Sequence, residues 1–277
     1  LSGMQNDGKN FFYVNPLEVV PGVSGVLPEY KHVLPRRPGW YQCACCPPNV
    51  ARLITSLGEY AWGEKDDTIY AHTYVGGRAN FKKQGISVLC ESNYPWQGEI
   101  RYTVEIPKKY QSFTFAVHIP GWCQGWNILL NDKEADYFYQ DGYIYLQREW
   151  KNGDTLKLTL PMMPRRVYSN PLVRADAGCT ALMRGPVVYC FEETDNGKNL
   201  AALRLPKDET ISVDTMCFLG KKNIPLLKMN GNRVIEEEGQ LYSDKPFPQK
   251  ETALCAVPYF MWGNREAGGM RVWMVEG

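Results

Sequence analysis

The 277-residue sequence has no long hydrophobic run and almost no net charge. No apolar stretch approaches the roughly eighteen residues that a membrane-spanning helix needs, so the sequence predicts no membrane association. The formal net charge is +1, whereas nucleic-acid binding requires a strongly basic face, so nucleic acid is not an expected partner. The start of the sequence carries no secretory signal. The compartment therefore stays unknown, with cytoplasm and periplasm both open.

The sequence also lacks the cysteine patterns of a disulfide-stapled protein and of a zinc ribbon. Its nine cysteines are an odd number, and three of them are clustered, which argues against a disulfide framework. A zinc ribbon needs a second pair of Cys or His ligands at matching spacing. The cysteines outside the cluster stand singly, at Cys90, Cys123, Cys179, Cys190, Cys217 and Cys255. A metal bound by the cluster would therefore take its remaining ligands from elsewhere.

The cluster itself, Cys43, Cys45 and Cys46, lies directly ahead of a predicted helix over 47–62. Two prolines follow the last cysteine and suit a first helical turn, and the apolar residues after them recur at helical spacing. The N-terminus of a helix favours an anion, and a thiolate is such an anion. The cluster therefore predicts a soft-metal site or a nucleophilic sulfur. Cysteines that only fill an apolar core are the alternative interpretation.

Beyond this helix the sequence is typical of an all-β protein. Short runs rich in β-branched and aromatic residues alternate apolar with polar positions, and turns such as Asp141-Gly142 separate them. One set of runs extends over 65–163 and a second set over 164–277, which predicts two antiparallel β-sandwiches. A stretch rich in Gly, Asn and Lys, 221–245, is predicted to form long loops.

Six short motifs occur in a fixed order along the whole chain. They are Phe12-Tyr-Val-Asn-Pro-Leu17, Cys43-Ala-Cys-Cys-Pro-Pro-Asn-Val-Ala-Arg52, Tyr94-Pro-Trp-Gln-Gly98, Ile119-Pro-Gly-Trp122, Leu182-Met-Arg-Gly-Pro-Val-Val-Tyr189 and Val257-Pro-Tyr-Phe-Met-Trp-Gly-Asn-Arg265. In order and spacing they closely resemble the bacterial β-L-arabinofuranosidase family of glycoside hydrolases, whose members use a zinc-bound cysteine nucleophile. The resemblance implies a mainly β chain, with a short helical remnant of an (α/α) barrel over 1–64 followed by the two sandwiches.

The same resemblance implies roles for the cysteines. Cys45 matches the nucleophile, which is also a zinc ligand, and Cys46 matches a second zinc ligand, whereas Cys43 matches no ligand. The family's acid/base Glu, and the Glu and Cys that complete its zinc site, lie upstream of this cluster, and no residue of this sequence matches them. We therefore expect this chain to be the C-terminal portion of such an enzyme and to be catalytically incompetent alone.

The resemblance also implies a substrate and a residue that contacts it. The substrate is an arabinofuranosyl oligosaccharide or glycan, cleaved with retention of configuration, and such enzymes can pair as homodimers through their sandwiches. Tyr13 falls in a segment that runs close to the active site in this family, where its hydroxyl would contact the sugar; a packing tyrosine is the alternative. Glu18 and Glu29 are weaker candidates for an acid/base or a metal ligand and are predicted to lie on a solvated loop. His32 is a weaker candidate zinc ligand.

Two other functional classes fit parts of the sequence. A carbohydrate-binding or scaffolding β-sandwich module would need none of the missing catalytic residues. A small zinc-stabilised interaction protein would use the cysteine cluster structurally. The cysteine motif favours the glycosidase, because a pure sugar-binding sandwich has no use for it. Sugar binding that survives Cys45→Ser would support the binding module, and zinc-dependent folding would support the interaction protein.

Overall fold

The protein is mainly β, as the sequence predicts. The structure, a computed structural model, describes residues 3–40, 43, 45–218, 220–236 and 239–277. Strands account for 44% of it and helices for 12%, which confirms the fold class. The chain forms two compact units. The middle unit is Pro47–Met163, and the split unit combines Leu1–Cys46 with Pro164–Gly277.

The helices and strands are numbered here in chain order. The helices are α1 (Cys46–Ala61) and α2 (Glu193–Asn196), with short 3-10 helices at Pro28–Tyr30, Arg174–Asp176, Leu200–Ala202 and Tyr259–Met261. The strands up to the end of the middle unit are β1 (Glu18–Val19), β2 (Trp62–Lys65), β3 (Thr68–Ala71), β4 (Gly77–Phe81), β5 (Ile86–Ser92), β6 (Glu99–Glu105), β7 (Tyr110–His118), β8 (Asn127–Leu130), β9 (Lys133–Glu134), β10 (Phe138–Gln140), β11 (Tyr143–Lys151) and β12 (Thr155–Thr159). The remaining strands are β13 (Pro164–Tyr168), β14 (Cys179–Arg184), β15 (Val187–Glu192), β16 (Leu203–Arg204), β17 (Ser212–Phe218), β18 (Lys221–Val234), β19 (Gln249–Pro258), β20 (Met270–Arg271) and β21 (Met274–Val275).

Helix α1 spans Cys46–Ala61, within one residue of the range predicted at each end. Its first turn contains the two prolines that follow Cys46, in agreement with the preference of proline for this position. Several of its apolar side chains face solvent, with Leu53 and Ile54 each 55% exposed, and Ala61 is buried. The part of the chain that the structure describes contains no helix long and apolar enough to cross a membrane.

The middle unit is a β-sandwich. Its strands form a five-stranded sheet in the order β10-β11-β7-β3-β2 and a six-stranded sheet in the order β4-β5-β6-β12-β8-β9. Apolar side chains from both sheets form one buried cluster, to which alternate residues of β6, Ile100, Tyr102 and Val104, contribute. This alternation is what half-buried strands require, and it made these strands predictable. Strands β3 and β7 pair in parallel, however, a feature that the alternation does not predict.

His118, the last residue of β7, and His72, which directly follows β3, pack around one tyrosine. His72 Nδ1 lies 2.7 Å from the Tyr143 hydroxyl, and the His118 and Tyr143 rings are 5.2 Å apart. Burial lowers the pKa of His72, and burial together with the neighbouring His72 lowers the pKa of His118. The folded middle unit therefore favours the neutral forms of both imidazoles.

We expect the stability of the middle unit to fall as the pH drops below about 6.5, the pKa of an unperturbed histidine. Because the pKa of both residues is lowered by folding, the unfolded chain binds more protons in this window, and the free energy of unfolding decreases with decreasing pH. Urea denaturation at pH 7.5 and 5.5 measures the effect. The double variant His72→Gln/His118→Gln should show a smaller decrease, whereas the control variant of the exposed third histidine, His32→Gln, should behave as the native chain. The native chain, the double variant and His32→Gln would contradict the assignment of this pH dependence to His72 and His118 if their free energies of unfolding decreased equally between pH 7.5 and 5.5.

The split unit is built on a network of antiparallel strands. Its main path is β1-β20-β15-β19-β18-β16, with β14 joining β13, β15 and β21, and with β17 paired to β18. Side chains on both faces of this network are buried. In β15, for example, Tyr189 and Phe191 belong to one apolar cluster, and Cys190 belongs to another.

The N-terminal segment, residues 3–40, covers one face of this network. Phe12, Val19 and Val33 share a buried cluster with Val257 and Trp262 of the C-terminal half. Strand β1 pairs with β20, and the Tyr259 hydroxyl donates to the Pro16 carbonyl at 2.8 Å. The two parts of the split unit are therefore joined by both apolar packing and hydrogen bonds.

The prediction of long loops over 221–245 is wrong for its first part. Residues 221–234 form β18, the longest strand, which pairs with β17 on one side and β19 on the other. Consecutive residues such as Leu226 and Leu227 are buried, because both faces of the sheet are covered. The simple alternation that identifies a half-buried strand is therefore missing here, and the flanking Lys and Asn residues resemble a loop composition.

Candidate active site

The clustered cysteines lie at the start of α1. Cys46 is the first helical residue, and Cys45 directly precedes it. Cys43 and Cys45 are exposed and Cys46 is half-buried, and none of these three cysteines forms a disulfide. The Sγ atoms of Cys45 and Cys46 are 3.7 Å apart. The two sulfurs thus lie side by side at a helix N-terminus, where the backbone favours negative charge.

This sulfur pair has the spacing of two ligands on one tetrahedral zinc ion. Two thiolates at about 2.3 Å from a shared zinc, with a tetrahedral angle between them, would lie about 3.8 Å apart. The observed separation of 3.7 Å matches this value. Among the described residues, however, no group of three or more His, Cys, Asp or Glu side chains could hold a metal ion. Cys45 and Cys46 therefore fit one half of a zinc site.

The structure brings Tyr13 to the same place. Burial raises the pKa of the Tyr13 hydroxyl, and the nearby thiols of Cys45, Cys43 and Cys46 raise this pKa further, because negative charge on sulfur disfavours the phenolate. A hydrogen bond with the backbone of Cys45 acts in the opposite direction. Tyr13 therefore stays protonated at neutral pH beside the sulfurs, as a hydroxyl able to donate a hydrogen bond. A sugar contact by this hydroxyl stays a prediction.

The weaker candidate ligands do not join this group. Glu18 lies on β1, where its carboxylate is 3.4 Å from Nε of Arg271. The predicted loop position is therefore wrong for Glu18, although half of its side chain is exposed. Glu29, in the 3-10 helix Pro28–Tyr30, and His32, which follows that helix, are both exposed.

Sequence reasoning missed Arg37, which holds the segment that carries Tyr13. The arginine is only 6% exposed, and its guanidinium carbon lies 4.5 Å from the centre of the Phe12 ring. Nε donates to the Gly3 carbonyl at 3.0 Å and Nη1 donates to the Trp262 carbonyl at 2.8 Å. Burial lowers the pKa of Arg37 to about 10, although Glu192 and Tyr259 act in the opposite direction. Arg37 therefore stays charged at neutral pH and ties the N-terminal segment to the C-terminal half.

A second arginine, Arg265, organises the loop beside this contact. Its Nη2 donates to Glu192 at 2.6 Å, and the guanidinium also contacts both carboxylate oxygens of Asp195. The other oxygen of Glu192 accepts a hydrogen bond from the Gly263 amide at 2.9 Å. The partners of Arg265 lie 70 or more positions away, so the sequence shows this arginine only as the last residue of a motif.

The described fold matches that of solved sugar-hydrolysing enzymes. A structure titled only as a glycoside hydrolase superposes on this chain with a TM-score of 0.89 at 29% sequence identity. The superposition includes 100% of this chain and 46% of the solved chain. Together with the sequence matches below, this likeness defines the class of protein, a glycoside hydrolase.

Three domain profiles of one family match successive parts of the chain. The β-L-arabinofuranosidase GH127 catalytic domain matches residues 1–59, the GH127 middle domain matches 68–162, and the glycoside hydrolase family 127 C-terminal domain matches 164–275. The chain belongs to glycoside hydrolase family 127.

Relatives within the family are bacterial enzymes. A non-reducing end β-L-arabinofuranosidase from Bifidobacterium longum subsp. longum is 37% identical over 98% of this chain and 43% of its own length. The crystal structure of a GH127 β-L-arabinofuranosidase from Geobacillus stearothermophilus T6 superposes with a TM-score of 0.93 at 41% identity, covering 100% of this chain and 44% of its own. The chain thus spans less than half the length of the relatives that it matches.

We expect Arg37→Ala to lower the free energy of unfolding of the chain by about 2–4 kcal/mol. The substitution removes two charge-assisted hydrogen bonds and leaves the Trp262 carbonyl with only the 3.5 Å hydrogen bond from Asn264 Nδ2. Urea denaturation gives the stability, and hydrogen exchange at the Phe12 amide, which donates to Gly3, should accelerate. The control is Arg36→Ala, an exposed neighbour, for which a change within about 0.5 kcal/mol is expected. A similar decrease in the free energy of unfolding in both variants would show that Arg37 makes no specific contribution to holding the N-terminal segment.

Proposed function

We propose that this chain contributes the nucleophile and part of the metal site of a retaining β-L-arabinofuranosidase. Cys45 is the nucleophile, Cys46 is a zinc ligand beside it, and Tyr13 contacts the sugar. The observation that carries the proposal is the pair of Cys45 and Cys46 sulfurs 3.7 Å apart at the start of α1, with the Tyr13 hydroxyl close by. The family membership and the activity named for the Bifidobacterium and Geobacillus relatives support the choice of substrate.

In this mechanism the Cys45 sulfur attacks the anomeric carbon of a terminal β-L-arabinofuranosyl residue. The bond between that carbon and the glycosidic oxygen breaks, and a carboxylic acid gives the leaving oxygen its proton. The carboxylate left by the first step then takes a proton from a water molecule, whose oxygen attacks the same carbon, and the carbon–sulfur bond breaks to restore the thiolate. Two inversions at one carbon give net retention of configuration. Zinc, when bound by Cys45 and Cys46, keeps the nucleophilic sulfur deprotonated at neutral pH.

The substrate of the whole enzyme is an arabinofuranosyl oligosaccharide or glycan, and a homodimer is its proposed assembly. We also propose the division into the end of a helical barrel over 1–64 and two sandwich domains over 65–163 and 164–277. The successive family matches over 1–59, 68–162 and 164–275 support this division.

We expect the 277-residue polypeptide to bind zinc weakly and through Cys45 and Cys46. Two thiolates leave two of the four positions of a tetrahedral zinc unfilled by protein, so dialysis against a chelator should remove the metal. Elemental analysis and a competitive zinc titration measure content and affinity. Cys45→Ser and Cys46→Ser should each lower the affinity further.

The matched control for zinc binding is Cys43→Ser, which removes a thiol that matches no ligand in the family pattern. Its zinc affinity should equal that of the native chain. A single zinc that resists the chelator would overturn the expectation of a half-built site. Equal affinities in the Cys46→Ser and Cys43→Ser variants would overturn the ligand role of Cys46.

We also expect the 277-residue polypeptide alone not to release arabinose from an aryl β-L-arabinofuranoside. No residue of its sequence matches the acid/base Glu of the family, so the leaving oxygen would have no proton donor in the proposed role. The measurement compares the native chain with Cys45→Ser at equal concentration, and equal background rates are expected. Turnover by the native chain that Cys45→Ser abolishes would contradict the proposed inactivity. It would at the same time support the nucleophile.

A further inference from the structure

The split unit contains a polar cavity that the proposed mechanism does not use. Its volume is about 310 Å³, and it is lined by Gln5, Asn10, Arg36, Arg37 and residues 263–267. We refer to it as the loop pocket. Its volume lies at the lower end of the range for ligand sites, about 300–1,000 Å³, so it suits a small occupant.

Three loops form the loop pocket, and hydrogen bonds hold them together. The backbone amide of Asn6 donates to the side chain of Asn264 at 2.9 Å, which ties the first loop to the last. Arg37 donates to Trp262, which ties the middle loop to the same place. A bridge between Met4 and Phe11 closes the first loop on itself. The walls are therefore fixed without a ligand, so binding would not require these loops to order.

The charges around the loop pocket cancel. Arg265 is paired with Glu192 and Asp195, and Glu192 also faces the buried Arg37. Two opposite charges are left at the mouth, on the exposed Arg36 and Glu266. A cavity with no net charge offers no electrostatic preference for an anion. It favours a neutral ligand rich in hydrogen-bonding groups.

Several hydrogen-bonding groups of the loop pocket are still available. The Asn10 amide donates to Gln5 Oε1 at 2.8 Å, which leaves Asn10 Oδ1 as an acceptor and Gln5 Nε2 as a donor. Within the described ranges, neither of these two atoms has a further partner, and Arg36 and Glu266 form no hydrogen bond or ion pair. Donors and acceptors are therefore both present around one cavity. A sugar hydroxyl, which both donates and accepts, matches this arrangement.

We propose that the loop pocket is a glycosyl subsite that binds one neutral sugar residue of a glycan. The subsite itself rests on the cavity, its neutral charge and its available amides. The choice of an L-arabinofuranosyl sugar as first probe rests on the proposed function. The segment that lines the pocket with Asn10 also carries Tyr13 to the thiols, so both contacts depend on one stretch of chain.

Nuclear magnetic resonance of the full 277-residue chain, titrated with methyl β-L-arabinofuranoside, tests the proposal. Saturable shifts are expected at the amides of Gln5, Asn10 and residues 263–267. The double variant Asn10→Ala/Arg36→Ala should weaken the binding about tenfold, because it removes hydrogen bonds to the sugar from two sides of the cavity. The single variant Arg36→Ala alters only an exposed side chain and should weaken binding with the fold intact.

The matched control is Arg174→Ala, an exposed arginine outside the loop pocket, which should bind as the native chain does. The variant Cys45→Ser/Cys46→Ser should also keep the shifts at the loop pocket. If these thiol substitutions abolish the shifts, the sugar sits at the thiols and the subsite is overturned. The proposed function would fail if Cys46→Ser did not change the zinc affinity. That result would leave the shifts at the loop pocket unchanged, so the two proposals can fail separately.

Three other results would overturn the subsite. One is the absence of saturable shifts at the named amides with the arabinofuranoside and with a neutral disaccharide that contains it. Another is equal affinity in the native chain, the double variant and Arg36→Ala. The last is a response of the same amides to sodium acetate or inorganic phosphate in preference to the sugar, which would make the cavity an anion site.

Discussion

The stack of Phe12 on Trp262, closed by Arg37, is the contact on which the site depends. The two rings are nearly parallel, with centroids 4.6 Å apart, and the Arg37 guanidinium lies 4.5 Å from the Phe12 ring centre. Burial of this charge costs free energy, which two backbone carbonyls, two aromatic faces and the charge of Glu192 offset. Because Tyr13 directly follows Phe12, the same contact sets where its hydroxyl lies.

This contact makes the N-terminal segment part of the C-terminal sheet. Residues 3–40 cover one of its faces, and for that reason β15 and β18 carry apolar side chains on both sides. The same segment carries Tyr13, and a hydrogen bond joins Tyr13 to the backbone of Cys45.

The sequence predicted the elements whose patterns are local. The range of α1 followed from its prolines and helical spacing, and β6 followed from strict alternation of buried and exposed residues. Strand β18 was missed, because burial on both faces removes the alternation and its polar ends resemble loops. The parallel pairing of β3 with β7 could not be predicted either, because side chains alternate in the same way in parallel and antiparallel strands.

The sequence by itself determined the family, the mainly β class and the position of two sulfurs at a helix start, because adjacent cysteines followed by prolines constrain the local backbone. Only the tertiary structure decided that Tyr13 meets Cys45, that the buried Arg37 donates to Trp262, and that the half-buried Arg265 pairs with Glu192. These contacts join residues from 32 to more than 200 positions apart. They follow from which strands pair and which face the N-terminal segment covers, and no local pattern encodes either choice.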